Sequence, residues 1–79
     1  MLIRVYSKPR CQQCTATKRW LTEHGIPFVV EDIREPGNLA AAQALGHTSA
    51  PVVVVGEQSW SGFRPDKLGE LVEQVKEAA

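Results

Sequence analysis

The sequence predicts an α/β domain in the order βαβαββα, with a four-stranded mixed sheet and three helices. β-rich runs alternate with segments of helical periodicity along the 79 residues. A Gly-Glu pair separates the last two β runs and indicates a hairpin. The chain's only two cysteines, Cys11 and Cys14, lie where the first β run meets the first helical segment. This order indicates two parallel strands joined through a helix, then an antiparallel pair, with helices packed on the sheet.

The first half of the chain has the pattern of a β-α-β-α segment. The apolar and β-branched residues 2–6 predict the first strand. Residues 14–24 predict a helix that ends at Gly25. Residues 28–33 are the second β-rich run, and residues 36–45, which begin with proline and are rich in alanine, predict the second helix.

The second half predicts a hairpin and a final helix. Val52–Val55 is a continuous β-branched run suited to a buried strand, and the turn at Gly56 leads into a short partner strand, Gln58–Ser61. Pro65 is well placed to start the last helix. That helix has an amphipathic face, because apolar residues recur at i, i+3, i+4 and i+7: Leu68, Leu71, Val72 and Val75.

Length and composition predict one small domain, residues 1–79. Hydrophobic residues make up 43% and charged residues 23% of the chain, and nine basic residues balance nine acidic ones, which is typical of soluble globular proteins. Nothing indicates a nucleic-acid partner, a signal peptide or a membrane span, and nothing demands a dimer, so we expect a monomer. Two cysteines in a chain with no leader fit the reducing cytoplasm.

The spacing Cys11-Gln-Gln-Cys14 predicts thiol-disulfide chemistry. The N-terminus of a helix favours negative charge, so Cys11 should ionise more readily than Cys14 and attack as the thiolate. Lys8 and Arg10 add positive charge nearby and are candidates for stabilising that thiolate. Cys14, one turn further along the helix, would be the more buried thiol that resolves the mixed disulfide.

Three other interpretations of the cysteine pair remain open. A structural disulfide closing so short a loop would contribute little stability. A zinc site would need His24 and His47 as further ligands, and neither histidine has zinc-finger spacing. An iron-sulfur cluster shared between two subunits needs only one or two thiolates from each. Redox exchange is favoured, because Cys-x-x-Cys near a βαβ pattern is the more specific indication.

Two further segments are candidate binding surfaces. Pro51 can open a strand, and a cis Ala50-Pro51 bond would instead turn the chain sharply and present backbone groups to an extended substrate. At the end of the last strand, two aromatic residues flank a Ser-Gly pair. If this loop lies beside the cysteines, it would form a flat platform for a partner's peptide; its residues are Trp60, Ser61, Gly62 and Phe63.

These residues resemble the glutaredoxin-like branch of the thioredoxin superfamily and, within it, the NrdH-redoxin family. The resemblance spans essentially the whole chain. It rests on Cys-Gln-Gln-Cys at 11–14, Ala-Thr-Lys-Arg at 16–19, Ala-Pro-Val-Val at 50–53 and, most specifically, Trp-Ser-Gly-Phe-Arg-Pro-Asp at 60–66. It implies a thioredoxin/glutaredoxin-like fold.

The resemblance also implies a function. Such proteins take electrons from NADPH through thioredoxin reductase and pass them to the large subunit of class Ib ribonucleotide reductase, with no bound cofactor besides the redox-active disulfide. Cys11 would be the attacking thiol, Cys14 the resolving thiol and Pro51 a cis-proline. Ordinary glutaredoxins carry acidic residues after a Gly-Gly pair to hold the ammonium group of glutathione. Here Phe63 and Arg64 follow Gly62. The alternatives are a glutaredoxin that uses glutathione or another small thiol, and an iron-sulfur or metal carrier.

Overall fold

Four strands and three helices follow one another in the predicted order in the computed structural model, which describes residues 2–78. The elements are β1 (Ile3–Ser7), α1 (Gln12–Glu23), β2 (Val29–Asp32), α2 (Pro36–Ala44), β3 (Val52–Val55), β4 (Gln58–Ser61) and α3 (Pro65–Ala78). Met1 and Ala79, the two ends of the predicted domain, lie outside the described residues. The predicted fold class is confirmed, and the strands of the hairpin have the predicted bounds.

The sheet has the strand order β2-β1-β3-β4. β1 and β2 are parallel, with Val5 opposite Val30. β1 also pairs with β3 in antiparallel fashion, and β3 pairs with β4 through the hairpin, so that Trp60 lies opposite Val53. Because the central strands β1 and β3 are antiparallel, the segment that follows β1 and the segment that precedes β3 lie at the same end of these strands.

One face of the sheet is covered by α1 and α3 and the other is covered in part by α2, so three of the four valines of β3 are buried. Val53 and Val55 belong to a buried cluster with residues of α1 and α3, whereas Val52 belongs to a smaller cluster under α2. The first cluster contains Ile3, Val5, Leu21, Ile26, Val53, Val55, Trp60, Leu68 and Leu71. The second contains Tyr6, Ile33, Ala42 and Val52. Within residues 2–78, no helix has the length and apolar character needed to cross a bilayer.

The first helix ends at a glycine, as the sequence predicts. Gly25 has φ 67, a conformation that costs glycine little. Its N–H donates to the carbonyl of Thr22, and the N–H of Ile26 donates to the carbonyl of Leu21, which is the Schellman arrangement. The carbonyl groups of Leu21 and Thr22 are thus satisfied, and the chain turns towards β2.

Candidate functional site

The turn between β1 and α1 places Cys11 at the first position before the helix. Arg10 has φ 58, which is uncommon for a residue with a side chain and turns the chain out of the strand direction. Cys11 then has extended backbone angles, φ −115° and ψ 106°, and caps α1 through its sulfur, which accepts a hydrogen bond from the N–H of Cys14 at 3.1 Å. Capping by Cys11 explains why α1 starts at Gln12, two residues before the predicted start.

The two cysteines differ in accessibility. They form a disulfide in this structure, with their Cα atoms 5.2 Å apart. Cys11 is partly exposed, whereas Cys14 is 1% exposed. A partner's sulfur can therefore approach Cys11, while Cys14 is placed to react only with Cys11. In the reduced protein the same N–H of Cys14 would favour a thiolate at Cys11, because the donor faces the sulfur and the helix N-terminus is positive.

The loop before β3 lies across from Cys11. The Ala50-Pro51 peptide bond is cis, which confirms the prediction for Pro51. The carbonyl oxygen of Ala50 is 3.9 Å from Sγ of Cys11. Pro51 is buried, and its carbonyl accepts a hydrogen bond of 2.8 Å from the N–H of Gly62. The backbone of this loop therefore lies beside the partly exposed sulfur and is joined to the loop after β4 by that hydrogen bond.

Gln13, one of the two residues between the cysteines, connects α1 to the loop after β4. Its Oε1 accepts a hydrogen bond of 3.3 Å from the N–H of Phe63, fifty residues away in sequence. Gly62 has φ 88, and a Cβ there would lie 3.3 Å from the same Oε1. Ser61 is held from the other side, because its hydroxyl donates to the carbonyl of Ser49 at 2.7 Å. Sequence reasoning did not identify Gln13, since nothing in the motif marks a contact with so distant a residue.

The prediction that the Trp60 ring forms part of a partner platform is wrong. Trp60 is 5% exposed and belongs to the cluster under α1 and α3. The reason is strand alternation: Trp60 lies opposite Val53, so both side chains point into the same covered face. The accessible part of this loop consists of Ser61, Gly62 and Phe63, which are all partly exposed.

The two basic residues before Cys11 line one depression together with Pro9 and Arg34, but only Arg10 also lines the depression that opens at Cys11. A depression of about 480 Å³ opens beside Cys11 and is lined by Arg10, Cys11, Gln12, Thr15, Ala16 and Arg19. Lys8 does not line it. Lys8 instead lines a neighbouring depression together with Asp32 and Arg34. Of Lys8 and Arg10, Arg10 alone lines the depression at Cys11, and thiolate stabilisation by either residue stays a prediction.

Two ion pairs modify the charge around this end of the sheet. Arg34 donates to both carboxylate oxygens of Asp32, and these hydrogen bonds, with a further one from the Arg34 backbone, lower the pKa of Asp32 to about 2. The carboxylate near Lys8 is therefore charged and matched by a guanidinium. Arg64 makes a second bidentate pair with Asp66, with donor-acceptor distances of 3.1 and 2.9 Å. That contact lowers the pKa of the Asp66 carboxyl.

The histidines make local contacts elsewhere. The His24 ring stacks on Trp20 with 3.7 Å between ring centroids, and its Nδ1 lies 2.8 Å from the carbonyl of the same tryptophan. Nε2 of His47 lies 2.9 Å from the Ser59 hydroxyl. Among the described residues, no three His, Cys, Asp or Glu side chains are grouped so that they could hold a metal ion.

The fold and the site together define the class of protein. A four-stranded mixed sheet carries a partly exposed cysteine at a helix N-terminus, a buried cysteine one turn later and a cis-proline opposite them. This is a thiol-disulfide oxidoreductase of the thioredoxin fold. The glutaredoxin family model matches residues 3–60.

Similar proteins agree with that assignment. The glutaredoxin-like protein NrdH of Escherichia coli is 42% identical over 72 residues, which cover 90% of this chain and 89% of that protein. NrdH of Lactococcus lactis is 39% identical over 71 residues, covering 89% of this chain and 99% of its own. The solved structure of NrdH-redoxin from Escherichia coli, described as glutaredoxin-like with a thioredoxin-like activity profile, superposes with a TM-score of 0.85 over 90% of this chain and 95% of that one. The chain belongs to the glutaredoxin family and, within it, to the glutaredoxin-like NrdH proteins.

Proposed function

We propose that this protein is a cytoplasmic electron carrier that receives electrons from NADPH through thioredoxin reductase and reduces a disulfide in the large subunit of class Ib ribonucleotide reductase. The NrdH names of its relatives support the second half of this proposal. The partly exposed Cys11 and the buried Cys14 support dithiol exchange with a protein rather than static cross-linking.

The observation that carries the choice of electron source is that Phe63, Arg64 and Pro65 follow Gly62, so that a cation stands where ordinary glutaredoxins carry acidic residues. Ordinary glutaredoxins use acidic residues after their Gly-Gly pair to bind the ammonium group of glutathione. In this chain the carboxylate of Asp66 accepts two hydrogen bonds from Arg64. The first charged residue after Gly62 is the Arg64 guanidinium, and a cation cannot replace a carboxylate as the partner of an ammonium group. The site therefore favours a protein reductant.

The order in which the two cysteines react follows from their accessibility, since Cys11 is partly exposed and Cys14 is buried. The Cys11 thiolate attacks one sulfur of the substrate disulfide, which forms a mixed disulfide and releases the other sulfur as a thiolate that takes a proton from water. Cys14, after losing its own proton to water, attacks Sγ of Cys11. The Cys11–Cys14 disulfide forms again, and the second substrate thiol leaves. Two electrons pass to the substrate, and thioredoxin reductase restores the dithiol.

The N–H of Cys14 faces Sγ of Cys11 and stabilises the Cys11 thiolate during these steps. The strand before the motif offers no buried carboxylate for the proton of Cys14, because Arg4 is the only charged residue of β1. Water is the proton acceptor in the proposed exchange for that reason.

The test measures NADPH oxidation with the oxidised protein as electron acceptor. One arm supplies thioredoxin reductase, and the other supplies glutathione with glutathione reductase. We expect rapid oxidation with thioredoxin reductase alone, and none with the Cys11→Ser variant. Faster turnover with glutathione would overturn the proposed electron source.

Two further arms separate the parts of the proposal. Oxidised class Ib large subunit, added after thioredoxin reductase, should be reduced with one NADPH consumed per disulfide; a lack of reduction would reject that subunit as the acceptor. Arg64→Gln should gain turnover with glutathione, because it removes a cation that repels the ammonium group of glutathione. The same substitution at the exposed Arg4, which lies on β1, is the control and should gain nothing.

A further inference from the structure

The outer side of α1 carries a basic depression that the exchange steps do not use. It has a volume of about 480 Å³ and opens at Cys11. Arg10 lines it beside the sulfur, and Arg19 lines it further along the helix. No acidic residue is among its lining residues. A surface of this charge next to the reactive atom favours substrates of the opposite charge.

We propose that this depression binds the segment of the substrate protein that flanks the attacked cysteine, and that this segment carries carboxylates. This rests on the proposed function, since it specifies the chemistry of the protein disulfide that Cys11 reduces. The occupant is an acidic stretch of polypeptide, lying along α1 while the two sulfurs react.

The helix geometry sets where those carboxylates should be. Gln12, Ala16 and Arg19 are spaced i, i+4 and i+7, so they form one stripe on the surface of α1. With a rise of 1.5 Å per residue, Arg19 lies about 12 Å along the axis from Cys11. An extended peptide covers that distance in about four residues. A carboxylate next to the attacked cysteine would meet Arg10, and one about four residues away would meet Arg19.

The surrounding charges leave both arginines available for this role. Neither Arg10 nor Arg19 takes part in the ion pairs that hold Asp32 and Asp66. Glu23 is the only acidic residue of α1; it lies one turn beyond Arg19 and does not line the depression. A segment rich in lysine would be repelled from the same surface.

The test uses protein that has been reduced with dithiothreitol and desalted, so its outcome does not depend on thioredoxin reductase. Three peptides share one Cys-Gly-Gly-Cys disulfide and carry aspartate, serine or lysine within four residues on both sides. Each encounter converts the protein dithiol and the peptide disulfide into the Cys11–Cys14 disulfide and two peptide thiols. Second-order rate constants are measured by acid quenching and chromatography. For each protein variant, the rate constants of the three peptides are compared as ratios. A substitution that changes the reactivity of the Cys11 thiolate alters all three rate constants equally and leaves these ratios unchanged.

We expect the aspartate peptide to react about fivefold faster than the serine peptide at low salt, with the lysine peptide slowest. The preference should fall towards unity at about 0.5 M salt, because the charges are exposed. Arg19→Glu should abolish or reverse the preference. Arg4→Glu makes the same change in net charge on β1, away from the depression, and should retain it.

Equal rates for the three peptides with the wild-type protein would overturn the proposal. An undiminished preference in Arg19→Glu, or an equal loss in Arg4→Glu, would also overturn it, because the effect would then come from net charge. Failure of the proposed function is a separate result, seen as a lack of electron transfer from thioredoxin reductase.

Discussion

Replacing Gly62 by alanine is expected to destabilise the protein more than the same change at Gly56. Both glycines have positive φ, 88 at Gly62 and 58 at Gly56. At Gly56 an added Cβ meets nothing within 4 Å, whereas at Gly62 it would lie 3.3 Å from Oε1 of Gln13. The two variants therefore differ both in the contact and in φ, and a cycle with Gln13→Ala separates the contact from the backbone conformation.

The expected magnitudes follow from these two terms. A side chain at positive φ costs about 1–2 kcal/mol, and the lower entropy of the unfolded alanine variant returns about 0.4–1 kcal/mol. Gly56→Ala should then lower the free energy of unfolding by about 1 kcal/mol. Gly62→Ala also moves the exposed Gln13 side chain by a few tenths of an ångström, which weakens its hydrogen bond to the N–H of Phe63 and adds about 0.5 kcal/mol.

The assay is urea unfolding followed by circular dichroism, with melting temperature as a second measure. For a domain of this size, 1 kcal/mol shifts the melting temperature by about 4–8 °C. A double-mutant cycle with Gln13→Ala isolates the contact, since that variant lacks Oε1. In the Gln13→Ala background, Gly62→Ala should lower the free energy of unfolding by less than it does in the wild-type protein. If Gly62→Ala costs no more than Gly56→Ala, or if the Gln13→Ala background leaves its cost unchanged, the assigned contact between α1 and this loop is refuted.

Three further predictions test the exchange, the core and the acid response. Cys14→Ser should accumulate a mixed disulfide at Cys11 when mixed with oxidised substrate protein, visible by non-reducing electrophoresis, and full turnover by this variant would contradict the assigned roles. Leu21→Ala should lower the free energy of unfolding by about 2–5 kcal/mol, because the side chain is fully buried, whereas Leu2→Ala, at a position 56% exposed, should change it by less than about 0.5 kcal/mol; equal urea midpoints would contradict this. The pKa of Asp32 is about 2 in the folded protein against an ordinary 3.8, so its stabilising contribution is complete above the ordinary value and is lost as the pH falls towards 2. Unfolding measured between about pH 5 and pH 2 should therefore depend less on pH in Asp32→Asn, and an unchanged slope would count against that contribution.

The described structure also shows which parts of the site depend on contacts between distant residues. Gln13 and Phe63 are fifty residues apart, and their hydrogen bond exists because α1 and the loop after β4 meet at one end of the sheet. The carbonyl oxygen of Ala50 lies 3.9 Å from Sγ of Cys11 because β1 and β3 are neighbours in the sheet. Periodicity and spacing describe residues within one element, and they do not state which elements will be neighbours.

The orientation of Trp60 is a second feature that local sequence patterns leave open. An aromatic residue beside a Ser-Gly pair at a strand end is compatible with a binding surface, but the side chain points into the core because of its register opposite Val53. The register is set by the turn at Gly56 and by burial of one face of the hairpin, so a single strand of alternating residues leaves two orientations open.

The amino-acid sequence by itself determined the element order, the hairpin, the last helix and the position of the cysteine pair, because each depends on local properties: β-branched runs, helical periodicity, turn residues and the Cys-x-x-Cys spacing. Only the tertiary structure decided that Trp60 is core, that Asp66 is engaged by Arg64 and that Arg10, rather than Lys8, lines the depression at Cys11. The burial of Trp60 depends on the pairing of β4 with β3 and on the helices that cover that face of the sheet, and the contacts of Arg64 and Arg10 depend on the backbone conformation around them.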